Sequence, residues 1–185
     1  MMNDEERLKF FCPTLLAADG VTKLKLLGTG RLSMEYSDAD IESAMSIYVN
    51  AIELANVSSL DVALVDGRFR LQCALKLLPY MEGNGTVLIH DFWVRAPYHG
   101  VLKYYDVIGY ARSVVALRKK TGLSKEEERG VYKKYMTREH GMCFNPPSLS
   151  CSLNQKYVTI NFFHTNFLST RFSFNLFCCA TSIMG

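Results

Sequence analysis

The stretch from Asp61 to Arg95, DVALVDGRFRLQCALKLLPYMEGNGTVLIHDFWVR, constrains the fold more than any other part of the chain. Val62 to Val65 form an apolar run that stops at Asp66-Gly67. Leu71, Ala74, Leu75 and Leu78 then recur at spacings of three and four, the pattern of an amphipathic helix. Pro79 and the loop Gly83-Asn84-Gly85 close that helix. A second apolar run follows from Val87 to Ile89. Continuous rather than alternating runs predict strands buried on both faces, and such strands are usually parallel, joined by a helical crossover. The expectation is therefore two adjacent parallel strands, Asp61 to Val65 and Thr86 to Ile89, with a right-handed helical connection. Each ends in acid: Asp66 after the first, His90-Asp91 after the second. Ligands of open parallel sheets bind beyond the carboxyl ends of the strands, so these groups should share one functional rim.

Composition sets the outer limits. A chain of 185 residues suits one domain and one core. An apolar fraction of 49% with 12% aromatic residues argues for a folded chain. A net charge of +3 is too small to argue for nucleic acid or an anionic membrane as partner. No apolar stretch approaches the ~20 residues of a membrane span. The start, MMNDEERLKFF, carries acids where a secretory leader would be basic, so the expected compartment is cytoplasmic. Cys12, Cys73, Cys143, Cys151, Cys178 and Cys179 show no CxxC spacing, which argues against a zinc knuckle or disulfide framework. The composition breaks near residue 140. Residues 141–185 hold no Asp or Glu, only Lys156 and Arg171 as basic residues, and seven of the eleven phenylalanines. That divides the chain into a domain over 1–140 and an atypical, acid-free tail over 141–185, expected to pack independently of the domain. Within the tail, Tyr157 to Phe163 and Arg171 to Phe177 have strand character.

In chain order, Asp4 to Ala18 is expected to begin helical, with Pro13 interrupting it. Val21 to Leu27 is a candidate strand ending at Gly28-Thr29-Gly30. Ser37-Asp38-Ala39-Asp40 supplies an N-cap and first-turn acids. A helix carrying Ile41, Ala44, Met45, Tyr48, Val49, Ile52 and Ala55 on one face follows. Tyr98 to Tyr105 predicts a short helix, and Asp106 to Ala111 with Ser113 to Leu117 a hairpin. Ser124-Lys125-Glu126-Glu127 opens a charged surface helix running to about Arg138.

Three segments, ALVDGRFRLQCALKLLPY, GTVLIHDFWVRAPYHGVLKYYDV and SVVALRKK, resemble the C-terminal half of a class I, Rossmann-fold S-adenosylmethionine-dependent methyltransferase. The resemblance covers roughly Asp61 to Lys120, with Lys23 to Ala55 as a possible preceding part. It implies an α/β chain with a partial Rossmann-like sheet, mostly parallel, ending in an antiparallel hairpin. It also implies S-adenosylmethionine as cofactor, Asp66 and Gly67 on the cofactor side, and a small-molecule oxygen acceptor. Asp66 and Asp91 match the two metal-binding carboxylates of the catechol-type branch, where Mg²⁺ lowers the pKa of an acceptor hydroxyl. Two positions depart from that branch: Phe92 stands where an amide ligand is expected, and Phe69 where a basic residue is. The alternative for the acids is that they cap strand ends or pair with Arg68, Arg70 or Arg95.

His90 is a candidate general base beside Asp91, since imidazole, with an ordinary pKa of about 6.5, exchanges protons near neutral pH. It is equally a bridge between two loops. Arg68 and Arg70 could recognise a carboxylate or phosphate on a substrate, or form scaffold ion pairs. Trp93 and Tyr98 could line an aromatic pocket, or simply pack. Gly28-Thr29-Gly30 has the look of a cofactor loop, but only room for one helix separates it from Asp61. The resemblance therefore leaves the family's first strand, its glycine loop and its ribose-binding acid without counterparts, as if truncated at the N-terminus. The open edge this leaves beside the Asp61 strand is either covered, by the Lys23 segment moving across or by a strand of the tail, or leaves the product unstable. A different class of function, a non-catalytic interaction module on the same scaffold, is the rival expectation. Neither the methyl acceptor nor the oligomeric state leaves a mark in the sequence.

Overall fold

The computed structural model describes residues 8–10, 13–25, 35–54, 56–137, 140 and 176–178. Its centre is the expected unit. Strand β2 (Leu60–Val65) and strand β3 (Met81–Ile89) pair in parallel, with helix α3 (Arg70–Lys76) and a 3-10 turn, Leu78–Tyr80, between them. The hairpin follows as β4 (Tyr105–Ala111) and β5 (Val114–Lys119), and β5 lies antiparallel on β3. At the other edge, β6 (Leu176–Cys178) lies parallel to β2 and also pairs with β1 (Leu8–Phe10). The order among the described residues is β1-β6-β2-β3-β5-β4, a mixed α/β sheet. Three residues of the tail thus join the sheet instead of packing apart from it. A bare β2 edge presents unpaired backbone groups, and a returning strand satisfies them. The tail's expected strand over 157–163 lies outside the described residues.

Helix α1 (Asp38–Val49) starts where the Ser37 N-cap was expected. The Ser37 hydroxyl accepts from the Asp40 amide at 3.2 Å, and the Asp40 carboxylate accepts from the Ser37 amide at 3.3 Å, a reciprocal capping box. Ile41, Ala44, Met45, Tyr48 and Val49 are buried, and a short α2 (Ala51–Leu54) continues the face with Ile52. The Ser124 capping box opens α4 (Lys125–Gly130), which tightens into a 3-10 turn, Val131–Tyr135. Another 3-10 segment, Ala96–Lys103, stands where the Tyr98 helix was expected. These pieces pack around α3 as a single layer. That layer covers Ala63, Val65, Val87, Ile89, Val115 and Leu117, all at most 1% exposed. Each of the valine, isoleucine and leucine side chains among them contributes roughly 1.5–3 kcal/mol on burial.

Several expectations are corrected. Val62, Leu64 and Leu88, on the opposite face of the strands, are only half-buried. The apolar runs are therefore buried fully on one face, because the helical layer lies on that face. Residues 13–18 are not helical, and Leu8–Phe10 is extended. Val21 to Lys25 forms no ladder; Lys23 makes an isolated antiparallel bridge to Leu16. The cause is the Asp19 carboxylate, which accepts from the amides of Val21 and Thr22 and from the Thr22 hydroxyl, at 2.6–2.9 Å. Such a side-chain turn competes with strand pairing and leaves Val21 exposed. Gly83-Asn84-Gly85 lies within β3 rather than in a separate loop, as an irregularity that shifts the register between Leu60 and Val62. Gly28-Thr29-Gly30 falls outside the described residues. No helix among the described residues is long and apolar enough to cross a membrane.

Candidate functional site

The parallel pair carries Asp66 and His90-Asp91 to one rim, as the strand ends require. Two residues in left-handed backbone shape it: Phe69 (φ 51) before α3, and Asp91 (φ 52) after β3. Neither is glycine, so both conformations carry local strain. Phe69 is held by burial and by the edge of the Tyr48 ring, at 5.7 Å between centroids. The turn at Asp91 brings its carboxylate back over the rim and buries Phe92 completely.

Arg70, the first residue of α3, is the hub. One guanidinium nitrogen, Nη2, lies 3.0 Å from Asp66 Oδ1, and the other, Nη1, lies 3.4 Å from Asp91 Oδ2. Nη1 also donates to the His90 carbonyl at 2.7 Å, and Nε donates to the Gly67 carbonyl at 3.1 Å. The guanidinium lies 5.5 Å from the centre of the Tyr98 ring. A planar, multi-donor cation suits this task, and a point-charge ammonium would not. His90 stands between the acids as well, with Nδ1 3.2 Å from Asp66 Oδ1 and Nε2 3.5 Å from Asp91 Oδ1. A neutral imidazole can donate from one of these nitrogens only.

The remaining expected residues divide. Gly67 contributes its carbonyl to Arg70, and Arg68 donates its amide to the Tyr48 hydroxyl at 3.3 Å. Burial pushes the Arg68 guanidinium below its ordinary range, and the like charges of Arg70 and Arg95 push the same way. Trp93 is 39% exposed and lies outside the carboxylate cluster, edge-on to Phe92, His99 and Tyr110. His99 Nε2 is 3.2 Å from the Phe92 carbonyl, which anchors that group. Tyr98 is buried under Arg70. His99 and Tyr110 were not singled out from the sequence. Nothing in their spacing marks them, because a turn and a hairpin bring them together.

Mg²⁺ does not fit the cluster as it stands, since the Arg70 guanidinium spans the two carboxylates that would ligate it. Among the described residues, no group of three or more His, Cys, Asp or Glu is arranged to hold an ion. Asp66 is 37% and Asp91 32% exposed on their side chains, so the rim remains open to a small polar ligand. Comparison of the chain with protein-family models, with curated proteins and with solved structures gave no match.

Proposed function

We propose that this chain carries the acceptor-side half of a methyltransferase-like α/β domain, of the kind that moves a methyl group from S-adenosylmethionine to a small-molecule oxygen acceptor. One observation carries this: a parallel β2–α3–β3 unit with acids at both strand ends, followed by an antiparallel hairpin whose second strand lies on β3. That is the arrangement implied by the resemblance over Asp61 to Lys120. S-adenosylmethionine supplies an electrophilic methyl group when bound. Asp66 and Gly67 would face it, with Arg68 and Trp93 toward the acceptor. His90 would take the acceptor proton, for which one ring nitrogen must leave its carboxylate. Positioning then does most of the work, since methyl transfer needs little covalent help.

The second reading, a non-catalytic scaffold or interaction module, is favoured by the mutual satisfaction of the rim. Arg70 engages both acids, and both His90 nitrogens face carboxylates. Calorimetric titration with S-adenosylmethionine separates the two. Each unmet hydrogen-bonding group costs about 1–3 kcal/mol, so without a glycine loop and ribose acid the dissociation constant should exceed ~100 μM. Saturable binding in that range, abolished by Asp66→Asn, supports a cofactor-facing rim. Absence of binding supports the scaffold module. Micromolar binding would mean that cofactor groups exist elsewhere in the chain, with Gly28-Thr29-Gly30 the first place to mutate.

A further inference from the structure

We infer that Arg70 is a built-in cation standing where a divalent ion would bridge Asp66 and Asp91, so that this rim excludes metal. The inference rests on the rim geometry alone and holds whether or not the chain transfers methyl groups. Arg70 reaches one oxygen of each acid, at 3.0 and 3.4 Å, and so joins the ends of β2 and β3 as a bridging ion would. It is not a surface arm that can swing aside. Its side chain is only 9% exposed, two backbone carbonyls accept from it, and Tyr98 covers its face. Displacing it would strand a desolvated guanidinium and two carbonyls, while the arriving ion would have to shed water as well.

The surroundings act in the same direction. Arg68 adds a positive charge near Arg70, and the like charges of Arg70 and Arg95 act on it. Among the described residues, Arg95 Nε is buried without a hydrogen-bond partner. A divalent cation needs several oxygen ligands, and Phe92, fully buried beside Asp91, offers none from its side chain. His90 already lies against both carboxylates, on oxygens that an arriving ion would need.

The test is calorimetric titration of the full chain with Mn²⁺, with thermal unfolding as a parallel readout. Wild type is expected to give no saturable heat and no rise in Tm. Arg70→Gln keeps a polar side chain but removes the charge. It is expected to unfold at lower temperature and to gain saturable Mn²⁺ binding at least about tenfold tighter than any in wild type, with a matching rise in Tm. If Arg70→Gln is too unstable to unfold cooperatively, Mn²⁺ is expected to restore the transition. Adding Asp91→Asn to Arg70→Gln should remove the gained binding. Saturable binding by wild type that Asp91→Asn abolishes would overturn the inference. So would an Arg70→Gln chain that neither binds Mn²⁺ nor is rescued by it.

Discussion

Lys76 shows how a buried charge is tolerated in this core. Only 6% exposed, it meets the Glu53 carboxylate, donates to the Tyr132 hydroxyl at 3.2 Å and lies over the Tyr132 ring. Burial is the largest single influence and pushes its pKa down, but the Glu53 and Tyr132 contacts together outweigh it and leave it above 10.5. A raised folded-state pKa gives stability that is complete below the unfolded value and lost as pH rises through the folded one. Urea midpoints should therefore be insensitive to this group near neutral pH and fall at strongly alkaline pH, more steeply in wild type than in Lys76→Met. Equal slopes for the two proteins would refute the coupling. Tyr105 is simpler: fully buried, it donates to the Ala74 carbonyl of α3 at 2.7 Å, and burial raises its pKa. Tyr105→Phe leaves that carbonyl without its donor and should cost about 1 kcal/mol in urea unfolding, without loss of fold.

At the level of elements, the β2–β3 pairing depends on one glycine. A Cβ at Gly85 would meet Met81 Cε at 2.8 Å and the Leu60 carbonyl at 2.9 Å, and the latter is backbone that cannot step aside. Gly85→Ala should therefore destabilise by about 1–3 kcal/mol, as overpacking does. Gly83, with nothing within 4 Å, is the control, expected to stay within about 0.5 kcal/mol when changed to Ala. Equal effects at the two positions would show that the strand irregularity is not packed as described. The helix starts were legible because caps are local: Ser37 and Ser124 announced α1 and α4 through residues three positions away. The turn at Asp19 to Thr22 was not. It is decided by one carboxylate collecting three donors, which overrides the strand expected from Val21 as far as Lys25. The segment around Gly83 misled for a related reason, since Gly85 serves a close approach of strands rather than a chain reversal.

On the scale of the whole molecule, the parallel unit and its hairpin were legible from apolar periodicity and from where the acids fell. The site was legible in its members but not in its connections. Asp66, His90 and Asp91 do meet, yet Arg70 stands between the acids because α3 begins one residue after a left-handed Phe69 and aims its first side chain across the rim. Nor did the sequence reveal that a helical layer covers one face of the strands and leaves Val62, Leu64 and Leu88 half-buried on the other. The central claim is that Arg70 locks the ends of β2 and β3 into one rim. A double-mutant cycle between Arg70→Ala and Asp91→Asn, read by urea unfolding, tests it most directly. Asp91 is 21 positions from Arg70, so local helix effects cannot imitate the coupling. An interaction energy of about 1 kcal/mol or more is expected. Effects that simply add, within about 0.3 kcal/mol, would contradict it.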